Sequence, residues 1–339
     1  MRRRGVTVLL GALVVVALVV GVVSVPVPYV VMGPGPTVDT LGQDDGKDII
    51  QISGAATSSS AGQLRLTTVA VDSRPDLITS IAGWFDGDRA VVPRELVYPA
   101  DQSEEQVEQR NQEEFKASQT SAETAALAEL GYPVRVTITR VVPDGAAAGT
   151  LRIGDVVTAV DGEPVTSARR LGELVRAKPA GTALRVSYRR GEQERTTSIT
   201  TRADKTGDPP RLGVEIEERQ PHPFSLEIEL NEIGGPSAGL MFSLGIVDKL
   251  RPEDLTGGKI IAGTGTIDAE GRVGAIGGVA QKLVGAKRAG AVVFLTPADN
   301  CVEAVANALP GLPLARVATL DDALEALQAV REGRRPESC

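Results

Sequence analysis

The sequence predicts an α/β (α+β) domain that carries an inserted, mainly-β domain and stands behind one N-terminal transmembrane helix. Three observations predict it. A run of 21 uncharged residues, Gly5 to Val25, follows Arg2, Arg3 and Arg4. Short β-branched segments broken by Gly and Asp turns, with one amphipathic helix among them, fill Val134 to Thr201. From Leu212 onward strand-like and helix-like segments alternate, the pattern of a layered α/β unit.

Residues 1–25 read as a cytoplasmic tip and membrane anchor. At about 1.5 Å per residue the uncharged run spans a hydrocarbon core of about 30 Å. The arginines before it, with no further charge until Asp39, put the N-terminus in the cytoplasm and the rest of the chain outside. The expected location is therefore the cell membrane, single-pass, with an extracytoplasmic body. A cleaved signal peptide is the alternative. Its apolar region usually runs about 7–15 residues, and no A-x-A site follows here. Residues 26–62 read as a linker, stiffened by "PVPYVVMGPGP" (Pro26–Pro36). In residues 63–130, Gln63–Val71 is β-branched and reads as a strand. "DLITSIAGWFDG" has the apolar spacing of a short helix ending at Gly87. Asp101–Leu130, rich in Glu, Gln and Ala and without Gly or Pro, reads as a long helix or two, solvated on one face.

Residues 131–203 form a separate unit. "VRVTITRVV" is a strand. "PDGAAAGTLRIGDVVTAVDGEPV" reads as turn, short helix, turn, strand, turn. "SARRLGELVRAK" is an amphipathic helix with Leu171, Leu174 and Val175 at i, i+3, i+4, and a hairpin follows around Arg190-Gly191. This unit resembles a PDZ domain of the bacterial protease type. The resemblance implies a groove between the first strand and the helix Ser167–Ala177, lined by Tyr132, Val134, Val136, Leu171 and Val175, that takes an extended peptide as an added strand. At the carboxylate loop, "LGYPV" (Leu130–Val134) has one glycine where that family commonly has two. The groove is alternatively filled by a neighbouring part of the chain.

Within residues 211–335, "FSLEIEL" alternates, with Phe224, Leu226, Ile228 and Leu230 on one face. "NEIGGPSAGL" follows. Gly234, Gly235 and Pro236 let the chain turn sharply from strand to helix, with Ser237 at the helix start. Small residues such as Ala238 leave room there for a substrate backbone. Ser237 is either an N-cap or a nucleophile whose oxyanion the helix-start N–H groups would hold. A nucleophile needs a base. The only histidine, His222, sits in the turn "RQPHPF", and neither Cys301 nor Cys339 has a histidine nearby. A lysine serves if burial lowers its pKa. Lys282 shares its helix face with Gly278, Val279, Gly285, Ala286 and Ala289, so it points at a low-polarity surface, unless its long stem reaches out to water.

From about Leu226 to Val317 the chain resembles the Lon protease catalytic domain without its ATPase. "GGPSAG", "AGTGTIDAEGRVGAIGG", "VAQKLVGAKRAGA" and "FLTPADN" carry the resemblance, in order. It implies a Ser-Lys dyad of Ser237 and Lys282, with Thr264 close to the lysine. In two places the chain departs from the family: Ile233-Gly234 stands where the family has Lys-Asp, and Thr266 where it has Glu. Gln63–Pro99 is expected to complete this domain, which makes the PDZ unit an insert. The implied function is a serine endopeptidase, independent of ATP, that cleaves unfolded or extended extracytoplasmic or membrane-protein segments. A non-catalytic PDZ adaptor at the membrane surface is the competing class. No phosphate-binding loop occurs, so neither ATP nor another cofactor is expected, and no metal is. The net charge of −8 makes nucleic acid an unexpected partner. Protein or peptide substrates and the membrane are the expected partners, and a homo-oligomer is left open. Cys301 and Cys339, the only cysteines, are expected to form a disulfide closing a loop worth about 3–4 kcal/mol in the chain-entropy model. A free buried Cys301 with Cys339 on a disordered tail is the alternative.

Overall fold

The structure, a computed structural model, describes residues 9–16, 21, 27–203, 208–230 and 234–339. The expected anchor, Gly5–Val25, falls largely outside them. Among the described residues no helix is long and apolar enough to cross a membrane. The chain divides into two compact units, Thr124–Ser225 and the remainder on either side of it.

The larger unit is built on a six-stranded mixed sheet. Its strands run in the order Leu314–Val317, Val293–Pro297, Ile260–Gly263, Gln63–Asp72, Tyr29–Asp39 and Ala90–Pro93. The first four are mutually parallel and the last two antiparallel. Val293–Pro297 is buried throughout, which is why "VFLTP" shows no alternation of apolar and charged residues. The stretch expected as a linker is corrected here: Tyr29–Asp39 is an interior strand of this sheet. Val30 and Val31 are in the core, and Pro34 and Pro36 sit at a register shift between Pro34 and Thr37. A proline has no N–H to give a ladder, so a bulge is where a strand tolerates it. "FSLEIEL" forms a strand only over Ser225–Ile228, and it pairs with Ile50–Ser53 outside the main sheet.

Three helices set up the site, two of them against that sheet. Gly239–Leu250 is buried from Gly239 to Asp248, a central helix. Val279–Arg288 packs Val279, Leu283 and Ala286 into a core with Ala262 and Phe294. The long helix is one element, Glu104–Glu129. It packs Phe115 edge-on against Phe242, with ring centroids 5.8 Å apart. The sulfurs of Cys301 and Cys339 are bonded, with Cα atoms 5.2 Å apart.

The unit Thr124–Ser225 has a six-stranded antiparallel sheet: five strands run in the order Gln193–Thr200, Ala183–Arg190, Val156–Val160, Arg135–Val141 and Val214–Arg219, and the short strand Glu163–Pro164 pairs with Val156–Val160 off this path. The helix Ala168–Arg176 is capped by Ser167, whose Oγ accepts from the Arg170 N–H at 3.1 Å. Asp155 is buried. Burial opposes its ionisation, but the Arg190 guanidinium bonds both its oxygens at 2.7 Å and holds the carboxyl below the usual carboxylate range. Two expectations are corrected. "PDGAAAGTL" forms successive turns rather than a helix. Val214–Arg219, expected in the later domain, belongs to this sheet, because Ile216 and Val214 pack on its core.

Candidate active site

Gly235 has a φ of +85°, a left-handed conformation that disfavours any side chain. It is what lets the chain swing past Pro236 into the buried helix. The turn is also held from outside. The Gly235 N–H donates to the Asn111 carbonyl at 2.9 Å, and the Ser118 hydroxyl to the Pro236 carbonyl at 2.8 Å. Gly234 lies so close that a Cβ there would come within 3.1 Å of Asn111 Cβ. Asn111 and Ser118 escape a sequence reading: in a helix rich in Gln, Glu and Ser nothing singles out the one backbone carbonyl and the one hydroxyl that meet the turn.

Ser237 does not cap the helix. The N-cap is Ala238, which makes no side-chain capping bond. Two backbone bonds instead fasten the serine to the strand opposite. The Gly265 N–H donates to the Ser237 carbonyl at 2.9 Å, and the Leu240 N–H to the Gly265 carbonyl at 3.2 Å. The Leu240 N–H is thereby engaged, which leaves the N–H groups at Ser237 and Ala238, ahead of the helix, as those nearest the hydroxyl.

The lysine arrives from the helix Val279–Arg288. Gly278 starts that helix with a φ of +71°, and a Cβ there would come within 2.6 Å of Val69 Cγ2. Only glycine lets the helix approach the strand so closely. Lys282 is consequently 3% exposed. Its Nζ lies 2.9 Å from Ser237 Oγ and 3.0 Å from Thr264 Oγ1. The Thr264 hydroxyl also donates to the Ser237 carbonyl at 3.1 Å. Burial lowers the Lys282 pKa to about 8; among the described residues no carboxylate is bonded to it that would hold the ammonium form. Lys287, on the same helix, is exposed.

Ser237, Lys282, Gly235, Pro236 and Ala238 line a cavity of about 760 Å³, together with Thr266 and the strand residues Leu66–Val71. Ile260–Gly263 pairs with that strand only as far as Leu66. Among the described residues no strand continues beside Thr67–Val71 on the cavity side. No group of three or more His, Cys, Asp or Glu able to hold a metal occurs among the described residues. His222 belongs to other surroundings: its Nδ1 is 2.8 Å from the Gln220 carbonyl, and its ring packs on Tyr132 and Phe224.

The residues expected to line the peptide groove are only partly where the groove needs them. Val136, Leu171 and Val175 are buried in the core of their own unit. The outer edge of Arg135–Val141 is occupied by Val214–Arg219. Tyr132 gives its carbonyl to Gln220 Nε2 at 2.8 Å and stacks edge-on with Phe224, and Val134 is half-buried. The edge strand of this sheet beside the helix Ala168–Arg176 is Val214–Arg219, and "RLG" before it carries a glycine, Gly213, at φ +74°.

Residues 106–201 match the family described as PDZ domain, and residues 232–328 the family described as Lon protease (S16) C-terminal proteolytic domain. The chain is 31% identical over 121 residues to a Lon protease of Koribacter versatilis, a stretch covering 34% of this chain and 15% of that protein. It is 41% identical over 95 residues to Lon protease 1 of Sorangium cellulosum, covering 26% and 11%. The chain thus spans only a small part of the length of these relatives. A solved PDZ domain of an SdrC-like protein from Listeria monocytogenes is similar at 25% identity, covering 24% of this chain and 85% of that one, with a TM-score of 0.23. The chain joins a PDZ domain to a serine-protease domain of the Lon type.

Proposed function

We propose that the chain is a peptidase that works without ATP, with Ser237 as nucleophile and Lys282 as general base. The observation that carries this is the buried Lys282 amine 2.9 Å from the Ser237 hydroxyl, at the wall of an open cavity. With a pKa of about 8, a fraction of Lys282 is neutral near pH 7. In that form its lone pair accepts the Ser237 proton as the oxygen attacks the scissile carbonyl. The N–H groups of Ser237 and Ala238 are the nearest donors for the oxyanion. The lysinium then protonates the leaving amine, and water, deprotonated by the same lysine, releases the acyl group. Thr264 orients the amine through its 3.0 Å bond.

The substrate is an extended polypeptide. The bare edge at Thr67–Val71 offers backbone partners to a peptide laid through the cavity. The edge Val214–Arg219 offers a second strand site through which the PDZ unit recruits the same chain and raises its local concentration. The apolar run Gly5–Val25 behind three arginines supports a single-pass anchor with the protease outside the cytoplasm. Unfolded or loop segments of exported and membrane proteins are then the substrates.

The test is cleavage of a permanently unfolded protein by the full chain in vesicles, with no nucleotide added. Fragments are expected from the wild type and none from Ser237→Ala. Equal cleavage by both, or cleavage that needs ATP, overturns the reading.

A further inference from the structure

The helix Leu77–Phe85 is inside out. Its sequence, "LITSIAGWF", carries no charge, and its buried residues are Ser80 and Gly83. Ile78, Ile81, Trp84 and Phe85 are 59%, 42%, 56% and 87% exposed. A surface helix ordinarily turns its apolar stripe inward. Here the small residues are what the inner face requires. A Cβ on Gly83 would come within 2.8 Å of Val91 Cγ2 and 3.4 Å of Val31 Cγ1, so the helix lies flat on the strands Tyr29–Asp39 and Ala90–Pro93. Its large side chains are left outside as a contiguous apolar face, a feature that marks a docking surface.

The position of Tyr29 says what covers it. This residue opens the strand Tyr29–Asp39, and its ring packs edge-on against Trp84 with centroids 5.6 Å apart. The uncharged run ends four residues earlier, at Val25. Four residues span at most about 14 Å. If that run crosses the bilayer, the chain leaves the hydrocarbon core within about 14 Å of Tyr29, the residue packed on Trp84. A Trp and a Tyr side by side at that height are the residues that favour the headgroup region. A short uncharged helix with its apolar side free can lie in the plane of that region.

We propose that the face Ile78, Ile81, Trp84 and Phe85 docks on the phospholipid surface from which the anchor emerges. The proposal rests on the anchor reading given above. Docking holds the sheet strand Tyr29–Asp39, and with it the neighbouring strand that lines the catalytic cavity, at a fixed attitude to the bilayer. The cavity then meets chains that leave the membrane surface rather than chains free in bulk solution.

Trp84 is the only tryptophan, so it reports on itself. The full chain is reconstituted into phosphatidylcholine–phosphatidylglycerol vesicles, with and without brominated acyl chains. Flotation after an alkaline wash measures the anchor separately. The expected result is a chain that floats, a blue-shifted Trp84 emission, and quenching by the brominated lipids several-fold stronger than by aqueous iodide. The double variant Ile81→Asp, Phe85→Asp keeps Trp84 and is expected to float equally, yet to reverse that ratio while still cleaving a short peptide. A chain that does not float overturns the anchor and the docking with it. A floating chain whose Trp84 is quenched by iodide and not by bromine overturns the docking alone. So does a Trp84 shielded from both, the result a protein partner or a second copy would give.

Discussion

The helices Val279–Arg288 and Leu77–Phe85 both break the rule that cations face water and large apolar groups face inward. In the first, Lys282 is 3% exposed; in the second, Phe85 is 87% exposed. The two exceptions are not equivalent. A buried ammonium loses its hydration, so the surrounding fold must tolerate it, and here the hydroxyls of Ser237 and Thr264 are its side-chain partners among the described residues. The lowering of its pKa is the measure of that cost. An exposed apolar side chain costs the fold little; it merely forgoes about 25 cal/mol for each Å² left in water. A core exception is compensated within the chain, and a surface exception by something outside it.

The contrast can be broken most severely at Lys282. Lys282→Met keeps the apolar stem and removes the amine, so hydrolysis is expected to fall by on the order of 10⁴-fold or more, as for other members of a catalytic unit. The same variant is expected to be more stable at pH 7. A base whose pKa is lower folded than unfolded is fully penalised below the folded value, about 8. The penalty, roughly 3 kcal/mol, fades as pH rises from there towards the unfolded value and is gone above it. Denaturant melts of wild type and variant should therefore differ most at pH 7 and converge near pH 10.5. A variant less stable than wild type at pH 7 would show that the ammonium is not a burden there. The wild-type rate should rise with pH through an apparent pKa near 8; a profile still climbing at pH 10 would mean that Lys282 is not held neutral.

A finer test is Thr264→Val, which removes the second hydroxyl and keeps the volume. With the amine free to turn away from Ser237, kcat is expected to fall by about 10²-fold, while KM moves little because no substrate contact is lost. A rise in KM alone would mean that Thr264 touches substrate instead. The smallest effect belongs to the other helix. Phe85→Ser should change folding stability by no more than about 0.5 kcal/mol in detergent solution, measured by urea melts. A loss of 2 kcal/mol or more would reveal that this face packs on the protein itself.

Much of the setting of Lys282 and Ser237 was legible from local pattern. Small residues around Lys282 in sequence foretold its burial, and the glycine-proline hinge foretold a sharp entry to the helix at Ser237. The serine's alternative role as a cap was not legible, because capping depends on where the helix begins, and it begins at Gly239 with Ala238, not Ser237, at the cap position. The stretch Pro26–Pro36 misled because four prolines read as an extended linker; an extended chain is also a strand when a bulge absorbs the missing N–H groups. That Arg135–Val141 has a further strand on its outer side was not legible for a related reason. Pairing between Val214–Arg219 and Arg135–Val141 joins segments more than seventy residues apart, and alternation along either one names no partner.

The sequence by itself determined the local elements and their chemistry: a helix that presents Lys282 among small residues, a hinge that frees Ser237, a helix with no charge between Leu77 and Phe85. Periodicity and backbone preference act over a few residues and need no neighbours. Only the tertiary structure decided that Ser237, Thr264 and Lys282 converge within 3.1 Å of one another's atoms, that Asn111 and Ser118 brace the hinge, and that Ser80 and Gly83 are the buried side of their helix. Each of these depends on close packing between elements far apart in the chain, where the absence of a Cβ at Gly278 or Gly83 sets how near two backbones can come, and no local pattern carries that distance.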